Sequence, residues 1–238
     1  MRCHYFLPSL IFWYDSCRHA YSKTDRHKRR QPRQRQWEAL PNVQDRNQSA
    51  LPYFFFAIVG TTQDSQGFSA IDVAEGAISS AIDTKDAAKK FAIAVTPLFK
   101  AAVIQARKTN PASYKELLRS PEPLQVVFAA VEDGTPIFVV AYFSVVEKGR
   151  NIVVTPHETL CPGTGCDNGR GAIVLGENGA ARQAVKQPDF WVGLDPLSAA
   201  RKLVQLEITD RPDIVGPPIS DLTLDSTGAH WGEKGECH

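Results

Sequence analysis

The run from Asp195 to Trp231 narrows the fold of this chain more than any other. Asp195 is placed to cap a helix, because its carboxylate accepts backbone N–H groups that a first helical turn leaves unpaired. Pro196 suits the first helical position, where a missing N–H costs nothing. Leu197, Ala200, Leu203, Val204 and Ile208 then recur at helical spacing and make one apolar face. Asp213-Ile-Val-Gly-Pro-Pro breaks the helix and leads into Ile219-Ser-Asp-Leu-Thr-Leu224, which reads as a strand. His230-Trp231 is expected to close a final hairpin, with Trp231 covering the sheet. A helix feeding a hairpin through such a turn is a helix-on-sheet unit.

Upstream, order is expected from Leu51 onward. Phe54 to Gly60 is a dense aromatic and β-branched run, suited to a strand buried on both faces. Asp72 to Ile82 reads as a helix. A second helix starts at Asp83 or Thr84, with Ala88, Phe91, Val95, Phe99, Ala102 and Ala106 on one stripe. Pro97 interrupts it, so either the helix kinks there or Thr96 caps a new one. Tyr114 to Arg119 is a short helical piece. The pattern then turns to β: Leu124 to Val131 and Ile137 to Val146 flank Asp133-Gly134, a hairpin signal. Asn151 to Thr155 is a third strand. A loop from Pro156 to Gly171 follows, then a short strand at 172–175 and a helix at 178–186. Clustered strands and clustered helices indicate an α+β fold, not alternating βαβ units.

Charge divides the chain. Residues 1–36 carry nine Lys or Arg against two acidic residues, and the remainder carries 18 against 24. Residues 1–50 therefore read as a basic, poorly ordered N-terminal arm, and residues 51–238 as a single α+β domain. A basic run without a docking fold gives only non-specific contacts. A solvated tail is the first reading of the arm, and nucleic-acid association the second.

The five cysteines do not resemble a disulfide scaffold in a chain of 238 residues. Cys161 and Cys166 flank Pro-Gly-Thr-Gly and read as two loop thiols. A local disulfide requires an oxidising compartment, and zinc would require two more ligands where only His157 is near. No metal or organic cofactor is expected. No stretch reaches the ~18–20 apolar residues of a membrane span. Phe6 to Tyr14 makes a poor signal peptide, so a cytoplasmic location is expected. Thr61-Thr62-Gln63-Asp64 reads as a strand-end turn, and His157-Glu158 as loop groups.

The order of these segments resembles the proteasome-type N-terminal-nucleophile (Ntn) hydrolases. The resemblance spans Phe54 to Trp231. It rests on the strand ending in Gly60, the helical pair, the hairpin, the turn Gly176-Glu-Asn-Gly179, and the helix feeding Asp213-Ile-Val-Gly216. It implies a four-layer αββα sandwich of two antiparallel sheets with helices outside. It also implies threonine-type amide or peptide-bond hydrolysis without a cofactor, and association into homo-oligomers. The nucleophile in that family is the first residue of the mature chain, its own amine serving as base.

This chain departs from the pattern at the site. Glu177 or Asn178 stands at one family Ser position and Gly216 at the other, while Asp213 is retained. Asp213 is therefore the candidate catalytic residue, with turn capping as its plainer role. No Thr within residues 1–50 opens a β-patterned run. Members of a nucleophile–base unit act together, so these losses imply a degenerate active site. A non-catalytic assembly or scaffold role on the same fold is the alternative.

Overall fold

In the computed structural model, the described residues are 54–64, 67–161, 174–176, 179–212, 215, 219 and 221–232. The basic arm lies outside them. The chain runs β1 (Phe54–Gly60), α1 (Ala70–Ser80), α2 (Thr84–Thr109), α3 (Pro111–Arg119), β2 (Leu124–Glu132), β3 (Thr135–Lys148) and β4 (Asn151–Cys161). It continues with α4 (Gly179–Ala184), a 3-10 turn (Pro188–Trp191), α5 (Pro196–Asp210), β5 (Leu222–Asp225) and β6 (Gly228–Trp231). The fold is α+β. One antiparallel sheet has the order β1-β2-β3-β4, and β5-β6 form a second, two-stranded sheet.

Local chemistry sets the element ends. Ser69 accepts from Asp72 N at 3.2 Å, so α1 opens at Ala70, two residues before the sequence pattern predicts. Asp83 accepts from Asp86 N at 2.6 Å and opens α2. Pro97 does not end α2, because it lies on the exposed side of the helix. Thr96 does not cap a new helix. Its hydroxyl donates back to Ala92 O at 2.6 Å, which leaves one continuous 26-residue helix. Asn110 closes α2 and, with Pro111 behind it, caps α3. Asp195 accepts from Ser198 N at 3.0 Å and caps α5 as its sequence predicts. Asp133 and Gly134 both take positive φ, 48° and 73°, the geometry a two-residue hairpin turn requires between β2 and β3.

The sheet is covered differently on its two faces. Alternate residues Val126, Phe128, Val139, Ala141, Phe143, Ile152 and Val154 meet α1, α2 and α3 in the larger core. Phe91 of α2 stands edge-on to Phe128 at 5.5 Å and to Phe143 at 5.8 Å, and Phe68 stacks on Phe99 at 5.9 Å. The opposite set, Ala57, Val127, Ala129, Phe138, Val140 and Cys161, meets Leu222 and Leu224 of β5. A third, smaller cluster joins α4, the 3-10 turn and α5 through Ala181, Phe190, Ala199 and Leu203.

Four expectations are corrected. β4 runs on through Pro156 to Cys161, so the segment from Pro156 to Cys161 is strand and not loop. Pro156 is tolerated because β4 is an edge strand among the described residues, where a missing donor breaks no ladder bond on the open side. Cys161 is fully buried and disulfide-bonded, with its partner outside the described residues; it is not a loop thiol. Val174 and Leu175 are not in a strand, and Trp231 is 39% exposed, so it does not cover the sheet. Among the described residues, no helix is long and apolar enough to cross a membrane.

Candidate functional site

The hairpin β5-β6 covers only part of the second face. At the end of the sheet where β1 finishes and β2 begins, that face carries Gln125, Tyr142, Ser144 and His157 in place of apolar residues. Alternation along paired strands puts these side chains on one face. Tyr142 lies opposite Gln125 on one side and His157 on the other, and Ser144 is a diagonal neighbour of His157.

Backbone geometry fixes this corner. Gly60 has φ 95°, and a Cβ there would lie 2.2 Å from Pro123 O. Thr61 N donates to the same carbonyl at 2.8 Å. Only glycine lets β1 finish so close to the chain entering β2. Gln125, though polar, is buried within an otherwise apolar strand. Its Oε1 accepts from Gly176 N at 3.1 Å, and its Nε2 donates to Glu122 O at 3.2 Å and Glu122 Oε2 at 3.4 Å. One amide thus ties the turn at Gly176 to the sheet and satisfies a buried polar group.

Burial holds the Tyr142 hydroxyl above its ordinary pKa. The Glu122 carboxylate pushes it the same way, and Arg182 opposes both. The phenol is therefore protonated at neutral pH and available as a donor. Ser144 Oγ lies 3.4 Å from both His157 Nε2 and Thr155 O. That separation is long for a hydrogen bond, and both residues belong to an exposed strip. The strip offers a phenol, a hydroxyl and an imidazole to a polar ligand, while the buried Gln125 amide is taken up by Gly176 and Glu122. It does not reproduce the tight contact of an activated nucleophile and its base.

The other sequence candidates fall in several places. Asp213 lies outside the described residues, as do Glu177, Asn178, Gly216 and Cys166. Gly176 has φ 77°, and the two residues after it lie outside the described residues. Thr61 and Thr62 occupy the strand-end turn as expected, Thr62 O accepting from Ala70 N at 2.8 Å. His157 and Glu158 are strand residues on opposite faces of β4, so they do not form a joint acid–base site. His230 lies in β6, with Nε2 2.8 Å from Thr227 Oγ1 and 3.3 Å from Asp225 Oδ1. Asp225 also accepts from Thr227 N at 2.7 Å, which makes this cluster a hairpin-turn motif. Bonds from the Thr227 hydroxyl and N–H, with His230 nearby, keep the Asp225 carboxyl below its ordinary pKa.

Sequence reasoning missed two buried carboxylates. Asp221, fully buried just before β5, accepts from Arg201 Nη2 of α5 at 2.6 Å. A Cβ on Gly232 would fall 2.0 Å from Asp221 Oδ2, so the chain after β6 must pass as glycine. Glu207 of α5 is buried, and its Oε1 accepts from Ala181 N of α4 at 2.7 Å. A signal for Glu207 was present: it sits four residues after Leu203, on the buried stripe of α5.

The chain matches no known protein family, curated protein or solved structure.

Proposed function

We propose that this protein is a proteasome-like Ntn-hydrolase-fold protein with a degenerate catalytic unit, whose working role is assembly and not peptide-bond turnover. The observation that carries the reading is the arrangement of layers. An antiparallel meander is clad on one face by the helical pair between its first two strands, and on the other by a later β-hairpin. This layering is compatible with an αββα sandwich, in which α5 would belong to the fourth layer. The degenerate site is supported by Glu177 or Asn178 standing at one position where the family carries Ser, and Gly216 at the other.

The test is the mature N-terminus of the natural protein. Intact mass and N-terminal sequencing, followed by reaction with a β-lactone that acylates a terminal hydroxyl, are expected to give no adduct. A mature chain that begins with Thr, Ser or Cys and carries one acyl group there would overturn the degenerate reading. In that case Asp213→Asn should abolish the adduct.

A further inference from the structure

We propose that the outer surface of α1 and α2 is a homodimer interface, in which the acidic α1 of each copy lies on the basic, apolar-striped α2 of the other. The inference rests on this surface alone and not on the hydrolase-like reading.

The outward side of α2 is unusual for a free helix. Ile93 is 67% exposed and Leu98 47%. Ala94, Pro97 and Ala101 are exposed beside them, so apolar positions recur at three- and four-residue steps on the side away from the core. Lysines flank this stripe. Helix α2 carries six basic residues against the single acid Asp86. Asp86 pairs with Lys90 and Arg107 pairs with Glu147, whereas Lys85, Lys89, Lys100 and Lys108 have no ion pair among the described residues. Helix α1 has the opposite character. It carries Asp72 and Glu75 and no basic residue, and neither acid has an ion pair among the described residues. Gly76, Ser79 and Ser80 are exposed on α1, so the surface there is low enough to receive bulky side chains.

The two helices are joined by three residues and pack side by side on the same face of the sheet. A two-fold axis along the seam between them turns α1 of one copy onto α2 of the other, and the reverse contact follows by symmetry. Every contact between an acid of α1 and a lysine of the partner's α2 then forms twice. Packing α2 against α2 instead would oppose two strongly basic helices, which disfavours that dimer. The complementary charges of α1 and α2 thus fit a second copy of the chain in this orientation.

Sedimentation velocity of the full chain over a range of concentrations tests this. A dimer is expected, and it should weaken as salt rises because its charges are exposed before association. Ile93→Asp should weaken it by roughly tenfold or more, since it removes a buried apolar anchor and adds a charge. Asp72→Lys/Glu75→Lys and Lys85→Glu/Lys89→Glu should each weaken it by about three- to tenfold, and the four changes together should restore it. The thermal midpoint of Ile93→Asp, read by circular dichroism at concentrations where the chain is monomeric, should match the parent and so exclude misfolding. A chain that stays monomeric throughout, or a dimer indifferent to these changes, overturns the proposal. So does a monomer whose α2 lysines instead bind vesicles containing phosphatidylserine. None of those outcomes bears on the N-terminal labelling test.

Discussion

The two faces of the four-stranded sheet are built by different means. The first is covered by helices that follow β1 directly in the chain, and it is filled by interlocking phenylalanines. The second is covered by a hairpin more than sixty residues after the end of β4, and its own side chains are mostly Ala and Val. Large rings on the first face leave little room for the layer to shift, because edge-to-face packing is directional. Small aliphatic residues on the second face accept a cover of modest area, which needs further fixing. Arg201–Asp221 supplies it by tying α5 to the entry of β5. One sheet thus has an aromatic face held by shape and an aliphatic face held by a tether.

That contrast can be broken by substitution. Phe128→Ala should have the largest effect, about 4 kcal/mol of stability, because the ring is fully buried against Phe54, Phe56 and Phe91. Urea denaturation reads it, and a loss below ~1 kcal/mol would mean that the aromatic face is not the principal core. Leu224→Ala should cost about 3 kcal/mol. Its distinguishing sign is in hydrogen exchange: amides of β5 and β6 should lose protection before those of β2. Uniform loss would show that the faces unfold as one unit.

The tether comes next. Arg201→Met leaves the buried Asp221 carboxylate without its guanidinium. A fully buried pair would lose ~3–5 kcal/mol, but the Arg201 side chain is 42% exposed, so about 2 kcal/mol is expected. The same early release of β5-β6 should accompany it.

The smallest effect concerns pH. Bonds from the Ser198 hydroxyl and N–H lower the pKa of Asp195 below its ordinary value. A carboxylate with a depressed folded pKa contributes stability above its unfolded value, about 3.9, and loses it as pH falls through the folded one. Asp195→Asn should therefore lower the thermal midpoint slightly at neutral pH and flatten the acid limb of the melt profile below roughly pH 4.

Much of the layering was legible because local rules and tertiary demands agree. Asp195-Pro196, Asp133-Gly134 and the run from Phe54 to Gly60 each carry a signal that depends only on near neighbours. What escaped depends on distant ones. Pro156 reads as a strand breaker until β4 is known to be an edge. Pro97 reads as a helix breaker until its side of α2 is known to face solvent. The contacts of Asp221, Gln125 and Glu207 could not be read locally, because their partners lie 20, 51 and 26 positions away. The candidate site was less legible than the fold for the same reason. The strip of Gln125, Tyr142, Ser144 and His157 exists only once three strands are in register. Asp213, chosen by resemblance, falls outside the described residues.

The meander β2-β3-β4 joins neighbours that are consecutive in the chain, so its contacts are local and quick to form. During synthesis the helices and all four strands can assemble while the residues that make β5 are still inside the ribosome. For that interval Val127, Val140 and Phe138 form a greasy plane without the cover that Leu222 and Leu224 later give it. A chaperone that grips aliphatic surface should meet this protein there, and release it when Leu222 and Leu224 emerge.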